Sequence, residues 1–178
     1  EVSEIAEKQI VNYFRSLEDY IALPLRIGKI MEQSSGRQSE ILSVIRSYGI
    51  KDRSNIFDEI MLLDQKGKYL AGVSRVSILS RSEYGERRLT DELLSPLRNN
   101  RVHYSPVSID EKSGEPSITM GMPIIDARSG IADGMIIAKI LLRDIRDFVA
   151  NMHFEETGIA YITDSNGSVI AHKDPSFV

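Results

Sequence analysis

The chain has 178 residues, 42% of them hydrophobic, with a formal net charge of −4 and no cysteine. That content supports a core of ordinary domain size and excludes a disordered or fibrous chain. It also excludes disulfides and cysteine chemistry, and the lack of any long Lys or Arg run argues against nucleic acid as a partner.

The chain opens without a start methionine or signal sequence and reads as an excised piece of something longer. No stretch approaches the roughly 20 apolar residues that span a bilayer. Ile10, Phe14, Leu17 and Ile21 step by three and four, with Glu4, Glu7, Lys8, Arg15 and Glu18 on the other faces, so a long amphipathic helix is expected over about 1–31. Pro24 lies inside that pattern at a cost of about 3 kcal/mol, which predicts a kink or break between Ile21 and Ile27. A second helix is expected from Gln38, burying Ile41, Leu42, Ile45 and Tyr48 and ending near Gly49.

The apolar run 56–63 is read as a strand because Asp64 to Gly67 supplies a turn into a second strand over 69–76. Residues 77–88 form a loop, and a short helix over 89–97 is stopped by Asn99 and Asn100. Pro106 makes 103–109 an edge or bulged strand. The longest strands form the central hairpin. Its first arm sends Ile118, Met120, Met122 and Ile124 to one face and Thr119, Gly121 and Pro123 to the other; its second, 131–142, is apolar apart from Lys139. Such a hairpin needs cover on both faces. A helix over 142–152 follows, stepping through Ile145, Phe148, Val149 and Met152. Asp64, Gly67 and Ala71 then recur as Asp164, Gly167 and Ala171, which repeats the strand-turn-strand unit and starts a second sheet near Gly158.

His103, His153 and His172 are scattered and give no metal-binding spacing. No glycine-rich loop precedes a helix as a phosphate cradle requires, and no nucleophile or acid–base pair stands out, so neither an enzyme nor a cofactor is expected. The methionines fill core gaps.

The order of these elements, with Arg81 and Tyr84 in the loop, the Ser113-Gly114-Glu115-Pro116 turn and the strand run Gly134 to Ile140, resembles the double Cache sensors, PAS-like extracytoplasmic domains. The resemblance implies an α+β fold, a PAS-like antiparallel sheet flanked by a long N-terminal helix and short helices. It implies three parts: helices over 1–50, a membrane-distal ligand-binding module over 51–150, and the start of a membrane-proximal module over 151–178. It also implies a receptor tethered to the membrane, sensing a small molecule for a histidine kinase, chemoreceptor or diguanylate cyclase, with a homodimer through the first helix. In that family the ligand lies under the loop, and amino-acid-binding members resemble one another in an Arg-x-Trp-Tyr loop, a tyrosine on the next strand and an aspartate in the last strand. By that resemblance the ligand-binding residues here are Arg81, Glu83, Tyr84, Tyr104, Thr119 and Lys139. Glu83 stands in place of the tryptophan, and Lys139 inverts the charge of the aspartate.

A lysine on a central strand must reach water, an acid or an anion. If Arg81 and Lys139 converge with the tyrosine hydroxyls, the site fits a small organic carboxylate. The alternative is that Lys139 pairs with Asp126, Asp133 or Glu83, or snorkels off the sheet. At the level of function, a ligand-binding sensor stands against a ligand-free structural or dimerisation module.

Overall fold

The structure is a computed structural model and describes residues 2–47, 56–75, 78, 89–110, 113–150, 161–163, 166–167 and 169–172. Helix α1 spans Val2–Ile27. Its stripe of Leu17, Ile21 and Leu25 is almost wholly buried, as the sequence spacing requires. Pro24 does not break it: the helix runs through the proline without interruption. The reason is position. Pro24 lies in the last turn, so few hydrogen bonds beyond it are at stake, and its own carbonyl still accepts the Gly28 N–H at 2.9 Å. A 3₁₀ turn over Ile30–Glu32 leads to helix α2, Ser35–Arg46, which buries Gln38, Leu42 and Ile45. The Gln38 amide donates to the Ile30 carbonyl, which ties the two pieces together. The expected end of α2 at Tyr48 and Gly49 lies outside the described residues.

Strands β1, Phe57–Asp64, and β2, Tyr69–Ser74, form the first hairpin. The expected short helix over 89–97 is corrected: turns occupy 91–95, and only Pro96–Asn99 is helical, as α3. Pro96 has no N–H and its ring would strike the carbonyl one turn back, so the helix starts at the proline. Asn100, left-handed at φ 57°, ends it. The stretch around Pro106 splits into two two-residue strands, β3 at His103–Tyr104 and β4 at Ser108–Ile109. The central hairpin is β5, Pro116–Ile125, and β6, Ala132–Leu141. The sheet order is β2-β1-β6-β5-β3, with β4 also on β5, and every pairing is antiparallel. Helix α4, Arg143–Ala150, leaves the sheet as expected.

The pleat sorts the sheet into two faces. Ile60, Leu62, Ile118, Met120, Ile136, Ala138 and Ile140 pack in one cluster with the buried residues of α1 and α2. Met61, Leu63, Met135 and Ile137 face the other way, against Tyr69, Leu93 and their neighbours in the 89–97 stretch. That stretch approaches so closely that a Cβ on Gly121 would stand 2.7 Å from the Leu93 carbonyl oxygen. Only glycine fits there.

The repeat seen in the sequence is also a repeat of register. Leu62 pairs with Ala71 and Leu63 with Tyr69. In the second hairpin, β7 at Tyr161–Thr163 and β8 at Val169–His172, Ile162 pairs with Ala171 and Thr163 with Val169. The register shifts at the equivalent step in both, and Gly67 and Gly167 both take positive φ, 76° and 83°.

Candidate functional site

Lys139 sits on the face of β6 turned toward the 89–97 stretch, in a row with Glu59 of β1 and Thr119 of β5. The row is more acidic than the sequence suggests because β1 carries a bulge. Phe57 pairs with Ile140 and Glu59 with Lys139, so Asp58 is one residue too many for its partner strand. The bulge sets two adjacent acids against one lysine. Asp58 and Glu59 are both almost fully buried, at 5% and 4% exposure.

Lys139, Asp110, Asp58 and Arg75 interlock. The Lys139 ammonium donates to Oδ1 of Asp110, and Oδ2 of Asp58 lies 3.9 Å away. Arg75 Nε meets Asp58 Oδ1 at 2.8 Å. Asp110, 3% exposed, also takes hydrogen bonds at Oδ2 from the N–H and hydroxyl of Ser113, at 2.7 and 2.6 Å. Burial alone would raise its carboxyl, but the Lys139 and Ser113 bonds outweigh that and hold it well below the usual carboxylate range. The site thus groups three carboxylates, Asp58, Glu59 and Asp110, around two cations, Lys139 and Arg75. Unpaired, each buried carboxylate would cost several kcal/mol; the two cations offset most of that and leave one net negative charge. Beside them the half-buried Thr119 hydroxyl has no hydrogen-bond partner among the described residues.

Of the residues expected at the site, the structure brings Lys139 and Thr119 together. Arg81, Glu83 and Tyr84 lie outside the described residues. Tyr104 goes elsewhere: it pairs with Met120, on the opposite side of the pleat from Thr119, and its hydroxyl donates to Glu18 of α1 at 2.7 Å. Burial first, then the Glu18 bond, push its phenol far above the ordinary value, so it remains a donor. Lys139 finds an acid, but Asp110 and Asp58 rather than Asp126 or Asp133. Asp126 instead caps its own turn, accepting from the Arg128 N–H and the Ser129 hydroxyl. Sequence reasoning missed Asp58, Glu59, Arg75 and Asp110. The available signal was two consecutive acids inside the apolar run 56–63.

A cavity of about 840 Å³ opens on the other side of the sheet, between α1, the β3–β4 segment, the start of α4 and β7–β8. Phe14, Glu18, Tyr104, Val107, Ile145 and Ile162 contribute to its wall.

The antiparallel sheet, the long helix and the buried charged row define a PAS-like α+β module. The sequence profile of the Cache domain family matches residues 1–178, and the chain belongs to that family. No curated protein matches it by sequence. Solved structures do match in fold. The sensory domain of the Campylobacter jejuni chemoreceptor Tlp3 with isoleucine bound is 13% identical, with a TM-score of 0.67 over 97% of this chain and 68% of that one. The ligand-binding domain of the Pseudomonas aeruginosa amino acid chemoreceptor PctC in complex with GABA is 16% identical, with a TM-score of 0.61 over 99% and 75%. That of the Pseudomonas fluorescens chemoreceptor CtaA in complex with L-isoleucine is 13% identical, with a TM-score of 0.57 over 98% and 67%.

Proposed function

We propose that the chain is the extracytoplasmic ligand-binding part of a membrane-bound receptor, and that a small molecule sits on the Lys139 face of the sheet. The observation that carries this reading is the buried charged row Glu59, Lys139, Thr119, with Asp58 and Asp110, on an otherwise apolar sheet. A structural sheet gains little from four buried or half-buried charges; a recognition surface needs them.

The charge balance refines the ligand. With Lys139 already held by Asp110, a lone carboxylate would face three acids. A molecule carrying both charges fits better: its ammonium meets Asp58, Glu59 and Asp110 with the Thr119 hydroxyl in the same row, and its carboxylate is the group that the family resemblance assigns to Arg81, Glu83 and Tyr84. Isoleucine and GABA, bound by the structurally similar receptors, have this chemistry. In this reading 1–50 carries the signal to and from the membrane, 51–150 binds, and 151–178 begins a second module. The output is a histidine kinase, a chemoreceptor methyl-accepting domain or a diguanylate cyclase. Exposed Val11, Leu23 and Ile27 on α1 support a homodimer through that helix.

A thermal-shift panel of amino acids, dicarboxylates, amines and sugars tests it. A ligand at 100 times its Kd adds about 2.7 kcal/mol of stability. A zwitterion that stabilises the protein and loses its effect in Asp110→Asn and in Arg81→Ala bears the reading out. Silence across the panel favours the ligand-free structural module, for which the internal Lys139–Asp110 pair is the supporting observation.

A further inference from the structure

We infer that the cavity on the α1 side of the sheet is a second ligand site, distinct from the Lys139 face, and that it takes an organic ammonium ion with a small aliphatic body. Its volume, about 840 Å³, lies within the roughly 300–1,000 Å³ of small-molecule sites. The wall is apolar along Val107, Ile118, Ile145 and Ile162. Into that wall projects one half-buried carboxylate, Glu18.

Glu18 is oriented rather than satisfied. Tyr104 donates to its Oε1 at 2.7 Å, and among the described residues this is its one hydrogen-bond partner. A carboxylate offers about four acceptor positions, so most remain for a ligand. The Tyr104 ring also meets Phe14 edge to face, with centroids 5.3 Å apart, and the two rings and the carboxylate share one side of the cavity. Aromatic faces and a carboxylate attract the same kind of guest, a cation with some apolar surface. Arg15 and Glu92 also line the opening but are exposed to water, and the half-buried His103 lines it too; Glu18 is the half-buried anion among these groups and sets the preference for a cation. A carboxylate ligand would meet Glu18 head on.

The test uses isoamylammonium and isoamyl alcohol, which share a carbon skeleton and differ in charge, titrated into the protein and followed by amide chemical shifts. The ammonium is expected to bind at least tenfold more tightly than the alcohol and to move signals of Phe14, Glu18 and Tyr104. Glu18→Gln, which keeps an acceptor for Tyr104 and so keeps the fold, should weaken it at least tenfold. Equal binding of the alcohol, unchanged affinity in Glu18→Gln, or shifts centred on Lys139 would each overturn the inference, as would no binding at all. The outcome is independent of the zwitterion experiment, because the two titrations report on opposite faces of the sheet.

Discussion

Ile60, Ala138 and Met120 form one row across three strands, and Glu59, Lys139 and Thr119 form the row one residue away on each. The backbone is shared; the pleat alone separates them. The first row has no exposure at all beneath the two N-terminal helices, and any apolar filler of the right volume would hold it. The second is held by the ion pairs of Lys139 with Asp110 and Asp58. One face therefore stores the stability and, in the proposed reading, the other carries the selectivity, so a change on one should leave a different signature from a change on the other.

The largest loss is expected on the apolar row. Ile60→Ala should cost about 2–5 kcal/mol in urea denaturation; a loss under about 1 kcal/mol would break the view that the helices seal this face. Lys139→Met comes next. Breaking a buried pair costs about 3–5 kcal/mol, and with a quarter of the lysine side chain exposed we expect the low end, about 3 kcal/mol. The same variant should change the response to acid. Because Asp110 is held below its ordinary value, its contribution is complete above about pH 4 and fades as pH falls further. In Lys139→Met the acid limb of the stability curve should be shallower; an identical limb would mean that Asp110 draws nothing from the lysine.

Smaller effects sharpen the contrast. Tyr104→Phe removes one hydrogen bond to Glu18 and should cost about 1 kcal/mol, with zwitterion affinity unchanged because the residue faces α1. Thr119→Val should shift stability by less than about 0.5 kcal/mol and still weaken the zwitterion, which calorimetry would resolve. Equal affinity there would remove Thr119 from the site.

Much of the fold was legible because local chemistry dictated it. The period of two along β5, the glycine turns at 67 and 167 and the three-and-four spacing along α1 are all local, and all reappear in the structure. The failures arose where a single residue's consequence depended on its place in an element. Pro24 left α1 unbroken in its last turn, and Pro96 began a helix it was expected to sit inside. The site was less legible. Whether Asp58 points beside Glu59 or away from it depends on a bulge, and a bulge is a property of two strands together. Asp110 lies 29 residues before Lys139, in a turn whose composition says nothing about its target. Tyr104 shows the converse: the right residue type on a short edge strand, turned to the wrong side by one step of register.

The turn that supplies Asp110 has a second attachment. Its first residue is fixed to Lys139, while Glu115, five residues on, grips the Arg143 guanidinium through two bonds of 2.9 and 2.8 Å at the first residue of α4. Backbone bonds from Asp110 N–H to the Glu115 carbonyl and from Gly114 N–H to the Asp110 carbonyl, 2.8 and 2.7 Å, tie its two ends together. The turn is in effect a short crank. In the proposed reading, an ammonium that took the place of Lys139 on Asp110 would act on the root of α4 through this turn.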